Sequence, residues 1–116
     1  MRKILVTGGN GLVGSQFRGE KYSYFSSSDC DLRNIGETKN IFNNYVNNIN
    51  STDWGSVIHC AAKVGGLGGN MNYKGEFFYD NIMINTNVIE SARKYGIENL
   101  VCFLSTCVFP DNVEYP

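Results

Sequence analysis

The stretch ILVTGGNGLVG, residues 4–14, decides how the rest of the chain is read. Lys3–Thr7 is a short, largely apolar run that stops at glycine, the mark of a strand buried on both faces. Gly8, Gly11 and Gly14 follow at once. At such a junction the first glycine permits a tight turn and the second lets backbone approach a pyrophosphate. The third lets the next helix pack closely on the strand. Free N–H groups and the positive end of the helix dipole then face the phosphates. A glycine triplet alone is a weak signal, because any turn–helix junction collects glycines. Directly after a buried first strand it predicts dinucleotide binding, with Leu12 and Val13 in the same turn. No Gly-Lys-Ser/Thr follows, which rules out a nucleoside-triphosphate P-loop.

Working outward, apolar runs alternate with helical periods. Gly11–Gly19 has room for only a brief helix, and Tyr22–Ser26 alternates polar and aromatic residues as a second strand. From Ile35 to Ile49 the apolar residues fall at 35, 41, 42, 45, 46 and 49, one stripe of a helix. Asn34, with Glu37 three residues on, is its expected N-terminal cap. The six asparagines between residues 40 and 50 cover its solvent side. Val57–Ala61 is the next buried strand and Gly65–Gly69 a loop. A helix is predicted over about 76–95, with Phe78, Ile82, Ile89 and Ala92 along its inner side. Arg93 and Lys94 suit its negative end and Gly96 its stop. Leu100–Leu104 is the last strand. Strands and helices in alternation imply right-handed βαβ units and a parallel sheet. The predicted fold is a doubly wound α/β domain of the Rossmann type, with about five parallel strands, occupying residues 1–116.

Composition narrows the function. The 116 residues carry a net charge of −1 and 42% hydrophobic residues, with no basic block to attract nucleic acid or an anionic membrane. No apolar run approaches the length of a membrane span. Met1-Arg2-Lys3 before Ile4-Leu5-Val6 looks briefly like a signal peptide, but Thr7-Gly8-Gly9-Asn10 ends the apolar part too early, so a cytoplasmic location is expected. Cys30, Cys60, Cys102 and Cys107 show no metal-type spacing, and His59 has no second histidine to partner it, so no metal site is expected. The first three cysteines read as reduced, half-buried packing residues. His59, inside a buried strand, reads as a satisfied core histidine.

The end of the second strand reports on the ribose. An acid there bonds the 2′-hydroxyl of NAD, while a small polar or basic site admits the phosphate of NADP. Here the position falls in Ser26-Ser27-Ser28, with Asp29 and Asp31 just beyond, which favours NADP. Asp31-Leu32 lies where an adenine would sit, and Arg33 and Lys21 are the nearby cations. At the far end, LVCFLSTCVFPDNVEYP (100–116) places Ser105 and Cys107 at a strand tip. Two readings stand there: a proton-handling centre, or an ordinary strand end with a half-buried thiol.

These residues together resemble the N-terminal part of the extended short-chain dehydrogenase/reductase family, and within it the branch of GDP-4-keto-6-deoxymannose epimerase-reductases. VTGGNGLVG, VIHCAAKVGGLGGN (57–70), FFYDNIMINTNVIESA (77–92) and LSTCVFPDNVEYP (104–116) carry the likeness in order. The resemblance implies NADPH as cofactor, a GDP-sugar as substrate, and epimerisation at carbons 3 and 5 before reduction at carbon 4. It leaves a homodimer open. Gly8, Gly11 and Gly14 would hold the pyrophosphate, with Ser27 at the ribose. Asp31 and Leu32 would border the adenine, and Ala61 and Ala62 would line the diphosphate–ribose path. Asn81 would brace the active-site backbone. Ser105 would bond the keto oxygen and Cys107 would act as acid/base, a role its thiol suits because its ordinary pKa is near neutrality.

Two departures from the family pattern bear on this. Too few residues separate Gly14 from Tyr22 for the family's first helix. No tyrosine has a lysine four residues later, so the family's Tyr-x-x-x-Lys pair and its substrate domain would lie beyond Pro116, and the chain alone is expected to turn over negligibly. The competing readings are another nucleotide-sugar epimerase or dehydratase, in which Cys107 moves no proton, and a dinucleotide-binding module without chemistry.

Overall fold

The computed structural model describes residues 4–48, 55–65, 68, 71–103, 110–112 and 114. Strand β1 (Ile4–Thr7) is followed by a single 3-10 turn (Gly14–Gln16), β2 (Tyr22–Tyr24), α1 (Ile35–Asn47), β3 (Ser56–His59), α2 (Lys74–Lys94) and β4 (Asn99–Cys102). The strands form one parallel sheet in the order β2-β1-β3-β4. The chain steps one way from β1 to β2 and then crosses back over β1 to β3 and β4. That reversal is the doubly wound signature, and it opens a crevice beyond the carboxyl ends of β1 and β3. The described residues hold four parallel strands, where about five are expected from the sequence.

The crossovers β2-α1-β3 and β3-α2-β4 run in the same direction. Right-handed connections therefore put α1 and α2 on the same side of the sheet, where they pack on each other. The register aligns Leu5, Val57 and Leu100 in a row. Leu5 and Val57 join Phe42, Tyr45, Ile84, Val88 and Ala92 in the core, and Leu100 packs against it. Fully burying side chains such as Phe42 and Val88 contributes about 1.5–3 kcal/mol each.

Helix α1 begins as expected: the Asn34 side-chain oxygen accepts from the Glu37 N–H at 3.0 Å. Phe42 and Tyr45 turn inward, Ile41 and Val46 pack at the margin, Ile35 is exposed, and Ile49 lies outside the described residues. The Tyr45 hydroxyl donates to the Ser56 carbonyl and accepts from the Ser56 N–H, both at 3.1 Å, which ties α1 to β3.

Helix α2 differs from its predicted orientation. Phe78 is 71% exposed, and Ile82 and Ile89 are exposed too; of the expected inner stripe only Ala92 is buried. The inner side is Asp80, Ile84, Asn87, Val88, Ser91 and Ala92. Two of the polar groups, Asn87 and Asp80, hold inner positions because they find partners there. Asn87 donates from Nδ2 to the Leu32 carbonyl at 2.9 Å, and Asp80 meets Lys63. The stop at Gly96 is as read: its φ is +69°, Gly96 N–H donates to Arg93 O and Ile97 N–H to Ala92 O, a Schellman closure.

Between β1 and β2 the brief helix expected over Gly11–Gly19 is only the turn Gly14–Gln16. The segment is too short to make a helix and return to the sheet edge. Its side chains lie on the sheet directly, Phe17 edge-on to Tyr22 at 5.5 Å and Arg18 3.7 Å above the Tyr24 ring.

Candidate functional site

A cavity of about 790 Å³ opens at the carboxyl ends of the strands, within the range of small-molecule sites. The glycine turn forms one wall. Gly8 has φ +65° and lies so near β3 that a Cβ would stand 2.8 Å from the Ala61 nitrogen. At Gly14 a Cβ would meet the Gly8 carbonyl oxygen at 2.0 Å, so no side chain fits there. Among the described residues, the N–H groups of Asn10, Leu12 and Val13 have no protein acceptor, and all three residues line the cavity. Free backbone donors on a glycine turn are chemically suited to an anion.

The opposite wall, Cys60-Ala61-Ala62-Lys63-Val64, is held by two devices. The Thr7 hydroxyl accepts from Cys60 N–H and Ala61 N–H, each at 3.0 Å, and lies 2.7 Å from His59 Nδ1. With both lone pairs used, the hydroxyl proton goes to Nδ1. Nε2 then carries the imidazole proton and donates to Asn85 Oδ1 at 2.8 Å. Burial lowers the His59 pKa, against a smaller upward effect of Asn85. His59 is the satisfied core histidine that its strand position implied. The second device is Asn81, which accepts from Lys63 N–H at 2.8 Å and donates to Lys63 O at 2.9 Å.

The floor and rim are electrostatic. Arg33 grips Asp31 with a two-pronged contact at 2.9 and 3.0 Å and reaches Asp80 at 3.5 Å. Lys63 approaches Asp80 at 2.9 Å and also binds Glu76. Asp80, its side chain only 8% exposed, thus joins the loop after β2 to the loop after β3. The Lys63 hydrogen bond, chiefly, holds the Asp80 carboxyl below its ordinary pKa, and the Arg33 hydrogen bond does the same for Asp31. At the tip of β2, Asp29 turns back to accept from Ser26 N–H at 2.9 Å. Ser26 and Ser27 line the cavity, while Lys21 lies over the Tyr22 ring outside it.

Of the residues singled out from sequence, Gly8, Gly11, Leu12, Val13, Gly14, Ser27, Asp31, Leu32, Ala61 and Ala62 all line this one cavity. Asn81 does not; it holds the backbone of Lys63, which does. Of the Gly65–Gly69 loop, Gly65 and Gly68 lie off the lining, and residues 66, 67 and 69 are outside the described residues. Ser105 and Cys107, with Thr106, are also outside them. The cysteines are not uniformly half-buried: Cys30 is buried, Cys60 intermediate and Cys102, on the edge strand β4, exposed; all three are free. Burial, then Glu37, Asp31 and Asp29, pushes the Cys30 thiol up to about 11, and burial raises Cys60. Both cavity-lining thiols therefore stay protonated at neutral pH and are poor acid/base groups.

Comparison with known proteins decides the lineage. The NAD dependent epimerase/dehydratase family matches residues 4–116. The chain belongs to that family. Among curated members of the family, it is 44% identical to GDP-L-fucose synthase of Dictyostelium discoideum, over 99% of this chain and 37% of the relative. It is 39% identical to probable GDP-L-fucose synthase of Drosophila melanogaster, over 100% and 37%. A solved GDP-L-fucose synthetase from Naegleria fowleri bound to NADP superposes with a TM-score of 0.74 at 40% identity, covering 99% of this chain and 37% of that one. The chain thus spans little more than a third of the length of these relatives. No helix among the described residues is long and apolar enough to cross a membrane.

Sequence reading missed Lys63 and Asp80. The only trace was Glu76 and Asp80 four residues apart on one helix side; their cations come from loops that only folding brings near. Arg33 reads from sequence only as a nearby cation, because its position depends on the turn in which Asp31 accepts from the Arg33 N–H.

Proposed function

We propose that this chain is the cofactor-binding portion of an NADPH-dependent enzyme converting GDP-4-keto-6-deoxymannose to GDP-L-fucose. The observation that carries the reading is the glycine turn with three unpaired N–H groups on a cavity at the switch point of a doubly wound sheet. A bound nicotinamide supplies the hydride for carbon 4. In this reading Asn10, Leu12 and Val13 donate to the pyrophosphate, and Ala61 and Ala62 offer a small-residue path for the ribose. Ser27 lies at the adenosine ribose, and Asp31 and Leu32 border the adenine. Asn81 keeps the Lys63 backbone in place. Ser105 donates to the sugar's keto oxygen, and Cys107 takes the proton beside it, with inversion completed by a second acid that delivers a proton to the opposite face. The small Ser26–Ser27 tip supports NADP over NAD.

Three free cysteines suit a reducing compartment, which supports a cytoplasmic location. The exposed apolar side of α2 supports a homodimer, and sedimentation of a strictly monomeric chain would remove that part. A second reading, a different GDP-sugar as substrate, is favoured by 28% identity to GDP-L-colitose synthase of Yersinia pseudotuberculosis over 97% of the chain.

Fluorescence titration with NADPH and NADH tests the cofactor reading. Saturable binding, tighter for NADPH, is expected; binding of neither overturns it.

A further inference from the structure

Arg18 makes an unusual set of contacts for a side chain in a connector. Its Nη2 donates to the Gly9 carbonyl at 2.7 Å. Its Nη1 lies 3.3 Å from the Gly14 carbonyl and 3.0 Å from that of Phe17. The guanidinium rests 3.7 Å above the Tyr24 ring, a cation–π distance. In an ordinary strand–turn–helix junction, a helix of several turns fixes the glycine turn by its own ladder of hydrogen bonds. Here that helix has shrunk to Gly14–Gln16; Arg18 takes the Gly9 carbonyl and shares the Gly14 carbonyl with the Phe17 N–H.

We infer that Arg18 is a positioning residue for the phosphate-binding turn, doing from behind what the absent helix would do. This rests on the nucleotide-binding reading above. The physical link is the planar peptide unit. The carbonyl of Gly9 and the N–H of Asn10 belong to the same rigid plane and point in opposite directions. Drawing the Gly9 oxygen back onto Arg18 turns the Asn10 N–H the other way, and Asn10 lines the cavity. Tyr24 fixes the guanidinium in turn, and its side chain backs the turn: a Cβ on Gly9 would stand 2.9 Å from Tyr24 Cβ. Arg18 never needs to touch the ligand; it sets the direction of a donor that does.

The test compares the unsubstituted chain with Arg18→Met and Arg18→Lys. NADPH carries the pyrophosphate that the turn would hold, whereas adenosine carries none. Arg18→Met is expected to weaken NADPH about tenfold or more, the scale of losing charge-assisted hydrogen bonds. Adenosine binding, followed by NMR shifts, should stay unchanged. Arg18→Lys, with one point donor instead of a fork, should fall between. Equal loss for both ligands, or no loss for NADPH, overturns the inference. Amide hydrogen exchange reads the staple without any ligand. Gly11 and Ser15, whose N–H groups close the turn onto Gly8 O and Gly11 O at 3.0 Å, should exchange faster in Arg18→Met while Val88 in α2 does not. Unchanged exchange at Gly11 and Ser15 also overturns it. If the unsubstituted chain binds neither ligand, the nucleotide reading fails, and the exchange experiment still decides whether Arg18 holds the turn.

Discussion

The two sides of the sheet are furnished very differently. On one, α1 and α2 cover the row Leu5–Val57–Leu100 and enclose Phe42 and Val88 completely. On the other, in the row Tyr24–Val6–Ile58–Val101, only Val6 is fully buried; Ile58 is partly exposed and the edges are open, with Tyr24 48% and Val101 52% exposed. Parallel sheets are normally covered on both faces. On this second side the described cover is Phe17 on Tyr22 and Arg18 on Tyr24, two side chains in place of a helix. The difference separates tasks. The helical side holds the fold together, while the thin side carries the turn that would hold the phosphates, and a single polar fork steadies it.

Substitutions can break that contrast. The largest effect is expected from Phe42→Ala on the helical side, about 3–5 kcal/mol by denaturant unfolding. A truncation on the thin side, Val101→Ala, should change stability by no more than about 0.5 kcal/mol. Comparable costs on the two sides would erase the division. Gly14→Ala comes next. A Cβ cannot sit 2.0 Å from the Gly8 oxygen, so the turn must shift, and NADPH binding should be lost by titration even where about 1–3 kcal/mol of strain leaves the chain folded. Thr7→Val should cost about 1–3 kcal/mol, because Cys60 N–H and Ala61 N–H lose their acceptor and His59 Nδ1 its donor.

The smallest effect is one of pH. Burial keeps the folded-state pKa of His59 below its ordinary value of 6.5. The unfolded chain therefore takes up a proton below pH 6.5 that the folded chain refuses. Stability is held above that pH and declines as the pH falls. Thermal melts at pH 7 and 5.5 should show the decline, and His59→Asn should flatten it; an unchanged slope in the variant would mean another group is responsible.

Much of this was legible beforehand, and the pattern of what was not is physical. The glycine turn could be read because a buried strand running into Gly8-x-x-Gly11-x-x-Gly14 has few other uses. The cap at Asn34 and the stop at Gly96 were legible because both depend on neighbours within a few residues. The outer side of α2 was misjudged because apolar periodicity presumes that polar residues face water. Asp80 and Asn87 face inward, since their partners, Lys63, Arg33 and the Leu32 carbonyl, arrive from loops far away in the chain.

The sequence by itself determined the alternation of strands and helices, the direction of the winding and the turn where phosphates would bind, all consequences of local stereochemistry and burial patterns. Tertiary structure alone decided which side of α2 is buried, that Arg33 and Lys63 share Asp80 at the cavity, and that Arg18 replaces a helix behind the turn. Those depend on which groups meet across the sheet, and a hydrogen bond between residues far apart in sequence leaves no period to read.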